Sequence, residues 1–326
     1  VPDAYTTTSS IDTAKAAYDM MAFFALRPQL YFDQVADVQP TRQSMPGASV
    51  TFTIFNDLAV ASSPLNESTD VSAVALSDNT VTLSLAEFGN AVITTAALRG
   101  ESFIEIDPVV ANILGYNAGV SIDTVARAIL EAGTNVAYSA GPSGPQPTGR
   151  STVTPANTFR AYDVRAARGQ LVKQNVPTVG PGYVGYIHPD VAFDLRSETG
   201  SASWRDPHTY SQPDEIWSGE VGMFESVRFI ETPRAPTFVD AGSSPTTTTV
   251  YGTLFVGRQS LAKAHSIVDG NGLVPHTVPG PVVDHLRRFV PWGWYWLGQY
   301  GIFRQASVFR VESASSQPFN QPTIDN

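Results

Sequence analysis

The chain has 326 residues, of which 42% are apolar and 15% charged, and it contains no cysteine. That length and apolar share allow a sizeable core, while the missing cysteine excludes disulfides, thiolate metal sites and cysteine nucleophiles. A formal net charge of −10, with only three lysines (Lys15, Lys173 and Lys263), excludes a sequence-reading DNA binder, which needs a basic face to neutralise phosphates.

The start, VPDAYTTTSS, lacks the basic and apolar pattern of a secretory signal. No run approaches the roughly 18 apolar residues of a membrane span, so synthesis as a soluble protein in a cytoplasm is expected. Residues 1–45 carry one helix-like patch, TAKAAYDMMAFFALRP, ended by Pro28 and flanked by polar, extended stretches. This is an arm that needs a surface to lie on.

Residues 48–95 switch to period-two alternation. In ASVTFTIF, Val50, Phe52 and Ile54 alternate with Thr51 and Thr53; in NTVTLSLAEF, Val81, Leu83 and Leu85 alternate with Thr80, Thr82 and Ser84. That period predicts two half-buried strands. The stretch 57–79 between them, with Pro64 and many small polar residues, is a loop. A two-stranded ribbon is marginal in water unless its apolar face is covered, either by this chain's own core or by another subunit.

A long helix follows over EIDPVVANILGYNAGVSIDTVARAILEAGTN. Asp107 is the expected N-cap, with Pro108 at the first helical position. Val109, Val110, Ile113 and Leu114, then Ile122, Val125, Ala126, Ile129 and Leu130, form the expected apolar stripe, and Gly133 the stop. GPSGPQPTGRST (141–152) is a loop. TFRAYDVRAARGQLVKQN is a second helix, stopped before Pro177, and YVGYI (183–187) a buried strand. From residue 215 onward, SVRFIET and TVYGTLFVG are strands, and RFVPWGWYWLGQYGIFR and SVFRVES form an expected terminal pair before a polar tail. The order of arm, ribbon, long helix, α/β middle and β end is α+β.

Two constellations invite a chemical reading. In GYIHPDVAFDLRS, His188 could act as a base with Asp190 or Asp194, making a hydrolase. The structural reading is a strand-to-helix junction: Pro189 opens a helix, Asp190 sits near its N-terminal dipole, Val191 and Leu195 face inward, and Asp194 and Arg196 are surface charges. The chain has no G-x-S-x-G elbow, and the structural reading is favoured. In PWGWYWLGQY, Trp292, Trp294 and Trp296 alternate, which puts three indoles on one face. That face is either a stacking platform for a sugar or for bases or, as favoured, core or intersubunit surface. The five histidines include no close ligand pair, and no glycine run spells a phosphate cradle, so neither a metal nor a cofactor is expected.

In this order the segments resemble a tailed-phage major capsid protein of the Hong Kong 97 fold, most closely the branch named after coliphage N-four. The resemblance rests on PGASVTFTIFNDL with SSPLNESTDVS, EFGNAVITTAAL, DPVVANIL with DTVARAILEAGTNV, GYIHPDVAFDLRS, SGEVGMFESVRFIET and GWYWLGQYGIFRQASVFRVES, spanning about residues 45–312. It implies an N-terminal arm (1–45), an extended β-ribbon loop with its lead-in strand (46–100), a peripheral domain with a spine helix (101–180), and an axial domain with parts returning to the peripheral domain (181–285). Closing strands (286–312) and a tail (313–326) complete it.

The implied function is a structural, non-enzymatic shell subunit, assembling as hexamers and pentamers around phage double-stranded DNA in the host cytoplasm. Scaffolding, portal and decoration proteins are the implied partners, and no membrane is involved. No scaffolding domain precedes the arm in this sequence, so scaffolding is expected to be separate or removed. Phe52, Ile54, Phe55, Leu65, Leu83 and Leu85 are the candidate intersubunit contacts, and Arg27 and Arg42 the candidate DNA-facing residues. Some relatives crosslink through a ribbon lysine; residues 46–100 contain none, so a non-covalent shell is expected.

Overall fold

The computed structural model describes residues 5–6, 31–38, 49–55, 58, 60–62, 64, 67–68, 70, 73–102, 106–198, 220–243, 248–266, 274–279, 284, 286 and 288–317. The helix-like patch at 13–28, Arg27, Arg42 and Leu65 lie outside them.

In chain order, β1 (Tyr5–Thr6) and β2 (Ala36–Val38) precede the ribbon strands β3 (Ser49–Phe55) and β4 (Asp78–Ser84). Then come β5 (Ala86–Thr95), α1 (Ala96–Glu101) and the long α2 (Ile106–Glu131). The middle holds β6 (Val136–Tyr138), α3 (Ala161–Lys173), β7 (Tyr183–Ile187) and α4 (Pro189–Ser197). The remainder is β: β8 (Glu220–Phe224), β9 (Val227–Glu231), β10 (Thr237–Phe238), β11 (Val250–Val256), β12 (Leu261–His265), β13 (His276–Pro279), β14 (Phe289–Ile302) and β15 (Val308–Ser313).

These strands make a six-stranded sheet, β1-β5-β14-β12-β2 with β13 also on β14, and a seven-stranded sheet, β6-β15-β11-β7-β9-β8 with β10 on β11. The ribbon β3–β4 is a separate antiparallel pair. The two closing strands therefore do not pair with each other. Both edges of β14 are taken, one by β5 and the other by β12 and β13, so β15 crosses to the other sheet and lies between β11 and β6.

Helix α2 ties the sheets together. Its buried row is Ile106, Val110, Leu114, Ala118, Ile122, Ala126 and Leu130, every fourth residue. Each step of four overshoots one turn by about 40°, so the row winds around the helix. It can thus meet Trp294, Trp296 and Tyr300 of β14 and Leu254 and Val256 of β11 in one core. The same winding corrects the expected stripe: Ile113 is exposed and Val109 only half-buried. The helix also starts earlier than expected, so Asp107 and Pro108 lie inside its first turn, where a missing N–H costs no helical bond.

A second core lies between α3, α4 and the seven-stranded sheet, built from Val164, Leu171, Val191, Leu195, Phe229 and Phe255. In the 141–152 loop, Gly141 is required: its φ is +64°, and a Cβ there would sit 1.9 Å from the Ala156 carbonyl oxygen.

Residues 31–38 lie against this chain's own body. Phe32 is fully buried, with its ring 4.7 Å from Tyr186. The N–H groups of Tyr31 and Phe32 donate to Asp123 Oδ1 at 3.1 and 2.8 Å, and β2 runs parallel beside β12.

Candidate assembly surface and the His188 junction

Strand β7 is buried at every residue and ends directly at His188, the N-cap of α4. Its Nδ1 accepts the Asp190 N–H at 3.2 Å, supplying the partner an open helix end lacks. An Nδ1 that accepts this bond carries no proton. Burial holds the imidazole below its usual pKa, against the opposing pull of Asp190, 3.5 Å away. The ring packs 4.8 Å from Tyr251, whose hydroxyl donates to Asp190 Oδ2 at 2.6 Å.

The side chain of His188 is thus a cap, 7% exposed, and among the described residues it meets Asp190 and Tyr251. A hydrolase base would need a free Nε2 facing a nucleophile in a cleft. Asp194, expected at the surface, is buried instead. It accepts from the Ser316 backbone N–H, 3.1 Å from Oδ2, and from the Ser316 hydroxyl. Burial raises its pKa, with these bonds opposing. Arg196 is the surface charge it was expected to be, paired with Glu231 at 2.8 Å.

The tryptophan stripe faces α2. Trp296 and Trp294 are buried, and Trp292 is partly buried against the same core. Trp294 Nε1 donates to Asn117 Oδ1 of α2 at 2.9 Å, and Trp296 stacks on Phe88 at 5.8 Å. A helix therefore occupies the face a sugar would need.

The ribbon divides into a covered base and an open tip. Val50, Phe52 and Leu83 are buried against Ala262 and Ala264 of β12, with Val81, Leu85 and Phe303 packed around them. Phe52 meets Phe303 edge to face at 6.0 Å. The cover for Phe52 and Leu83, candidate intersubunit contacts from sequence, is thus intramolecular. Ile54 and Leu85 are half-buried.

Phe55 is 72% exposed, and Leu58, Val60 (90% exposed), Val74 and Leu76 join it along the ribbon and its loop. Those four lie in the 57–79 stretch, which its small polar residues mark as a loop; the available signal was large apolar residues spaced two apart inside it, Leu58 with Val60 and Val74 with Leu76. The ribbon's other face is hydroxylic: Thr51 and Thr82 are cross-strand partners with Oγ1 atoms 3.3 Å apart. Among the described residues no group of three or more His, Asp or Glu could hold a metal ion.

A family model described as phage capsid protein matches residues 7–316. No curated protein matches by sequence. Among solved structures, the capsid of Ralstonia phage GP4 is similar at a TM-score of 0.70 and 14% identity, over 98% of this chain and 100% of that one. The cyanophage Pam1 capsid gives 0.65 and 15% identity over 97% and 99%. The head of Helicobacter pylori bacteriophage KHP40 gives 0.65 and 12% identity over 96% and 98%. The fold is of the Hong Kong 97 type, and the chain belongs to the phage capsid protein family as a structural subunit of the virion shell.

Proposed function

We propose that this chain is the major capsid protein, closing by self-assembly of hexamers and pentamers into an icosahedral shell around double-stranded phage DNA. The observation that carries this reading is the ribbon. Its base is fixed by the chain's own core, yet its tip holds Phe55, Leu58, Val60, Val74 and Leu76 in water. A concentration of large exposed side chains on one extended element marks an association surface, and repeated burial of such a surface drives obligate assembly.

On this reading the tip is covered by a neighbouring copy. Packaged DNA is contacted without sequence preference, with Arg27 and Arg42 as the candidate contacts to phosphate. Scaffolding, portal and decoration proteins are the further partners, and assembly takes place in the host cytoplasm. No helix among the described residues is long and apolar enough to cross a membrane.

Expression in a bacterial host with its scaffold, followed by gradient sedimentation and electron microscopy, tests the proposal. Closed shells are expected. A chain that sediments only as a monomer contradicts it.

A further inference from the structure

Three buried polar groups on three different elements converge on one short segment. Asp123 of α2, Tyr186 of β7 and Lys263 of β12 are all buried. Asp123 Oδ1 receives the Tyr31 and Phe32 N–H groups, and the Tyr186 hydroxyl donates to the Tyr31 carbonyl at 2.9 Å. Lys263 Nζ donates to both carboxylate oxygens of Asp33, at 2.9 and 3.1 Å, and the Tyr300 hydroxyl donates to Asp33 Oδ1 at 2.5 Å. Buried polar groups of this kind beside an apolar core that includes Trp296 and Tyr300 are costly unless partnered.

The segment they hold has little main-chain pairing with the body, although Tyr31, Phe32 and Val35 are buried in the core. Its main-chain pairing with the body is the short parallel register Ala36–Val38 on Leu261–Lys263, and Asp37 adds one acceptor, for the Gln259 N–H at 2.8 Å. None of these contacts carries the pairing of β5 with β14 or of β7 with β11. If the segment leaves, the six-stranded sheet loses its edge strand β2, and the other strand pairings of both sheets remain. Asp123 also keeps Arg234, whose Nε lies 3.2 Å away. Lys263 loses its carboxylate, because Asp33 is its acidic partner among the described residues.

We infer that residues 31–38 are a strap that unseats and reseats as a unit while the rest of the subunit stays folded, and that the Asp33–Lys263 pair is its latch. The pair acts as a latch through an asymmetry. Seated, Lys263 is out of water and neutralised by Asp33; unseated, it is reached by water. Removing the Asp33 charge leaves a buried ammonium only in the seated state, so the balance moves toward release. Removing both charges takes that penalty away. This inference stands on the subunit alone and does not depend on the shell reading.

Hydrogen exchange by mass spectrometry on the full-length chain tests it, comparing peptides over 31–38 with peptides over β7 and β11. In the native chain the strap is expected to exchange faster than the two core strands. Asp33→Asn should speed strap exchange by about tenfold or more, with core exchange unchanged. Adding Lys263→Met should return the strap to within about threefold of the native rate. Strap and core exchanging together in the native chain overturns the inference. So does a strap rate unmoved by Asp33→Asn, an equal acceleration of strap and core, or a double variant that stays open.

Discussion

Arg150 grips Glu312 through two parallel hydrogen bonds, Nε to Oε2 at 2.9 Å and Nη2 to Oε1 at 2.7 Å, and the carboxylate is fully buried. Arg310 Nε adds a third bond to Oε1 at 2.9 Å, and the Arg150 guanidinium lies 3.2 Å over the Phe238 ring. One buried carboxylate thus joins the 141–152 loop, β15 and β10. Glu312→Ala strands the buried Arg310 and should destabilise the subunit by about 3–5 kcal/mol. Arg150→Lys keeps the charge but not the fork, and should lose about 1.5–3 kcal/mol, the worth of one hydrogen bond to a charged group. Chemical unfolding of the purified subunit measures both; equal stability of all three chains contradicts the role given to Glu312.

Acid sensitivity should trace in part to His188. Burial lowers its pKa in the folded chain. Below the usual histidine value of about 6.5, the unfolded chain binds a proton that the folded chain refuses, so this group's stability is present above that pH and lost as pH falls. Asp123, Asp163 and Asp194 are shifted upward by burial and act in the opposite sense, so the histidine shows only in a difference curve. His188→Asn keeps a good N-cap without a titrating ring. Its melting temperature should change less than that of the native chain between neutral pH and pH near 5. A parallel pair of curves would exclude His188 as the group responsible.

Two phenylalanines three residues apart should behave as opposites. Phe52→Ala empties the joint against Phe303 and β12 and should cost about 3–5 kcal/mol of subunit stability. Phe55→Ser changes an exposed side chain and should leave the subunit within about 0.5 kcal/mol while lowering the yield of assembled particles. Calorimetry on the subunit and sedimentation of the particles separate the two effects. A Phe55 variant that assembles like the native chain removes that residue from the contact.

Mature particles should run as one band of subunit mass on a denaturing gel. The ribbon has no lysine to offer for crosslinking, and Lys263 is buried and engaged with Asp33. A ladder of covalent multimers contradicts this.

Local pattern makes much of the fold legible in the sequence alone. Alternation marked the ribbon through Val50, Phe52 and Leu83, and the helix-start residues Pro189 and Asp190 marked the junction. The aromatic alternation at Trp292, Trp294 and Trp296 marked a strand of the core or of an intersubunit surface, and the structure places it in the core. What stayed hidden were pairings between distant positions. Asp123 with Phe32, Asp33 with Lys263, Arg150 with Glu312 and Asp194 with Ser316 are separated by 91, 230, 162 and 122 residues. Neither partner shows a local period that names the other. Asp194 carries the charge of a surface residue, yet it stands three places after the inward Val191 on α4, and the returning chain at Ser316 gives its carboxylate partners. The tip residues Leu58, Val60, Val74 and Leu76 stayed hidden because Pro64 and the small polar residues around them mark the stretch as a loop, and their exposure is a property of the folded chain.

A density map of the assembled particle at side-chain resolution tests the central claim most directly. A closed icosahedral shell is predicted, with Phe55, Leu58, Val60, Val74 and Leu76 of each ribbon buried against a neighbouring copy and Phe52 still seated on its own β12. Failure to form closed shells, or closed shells in which those five side chains face solvent, would contradict the account.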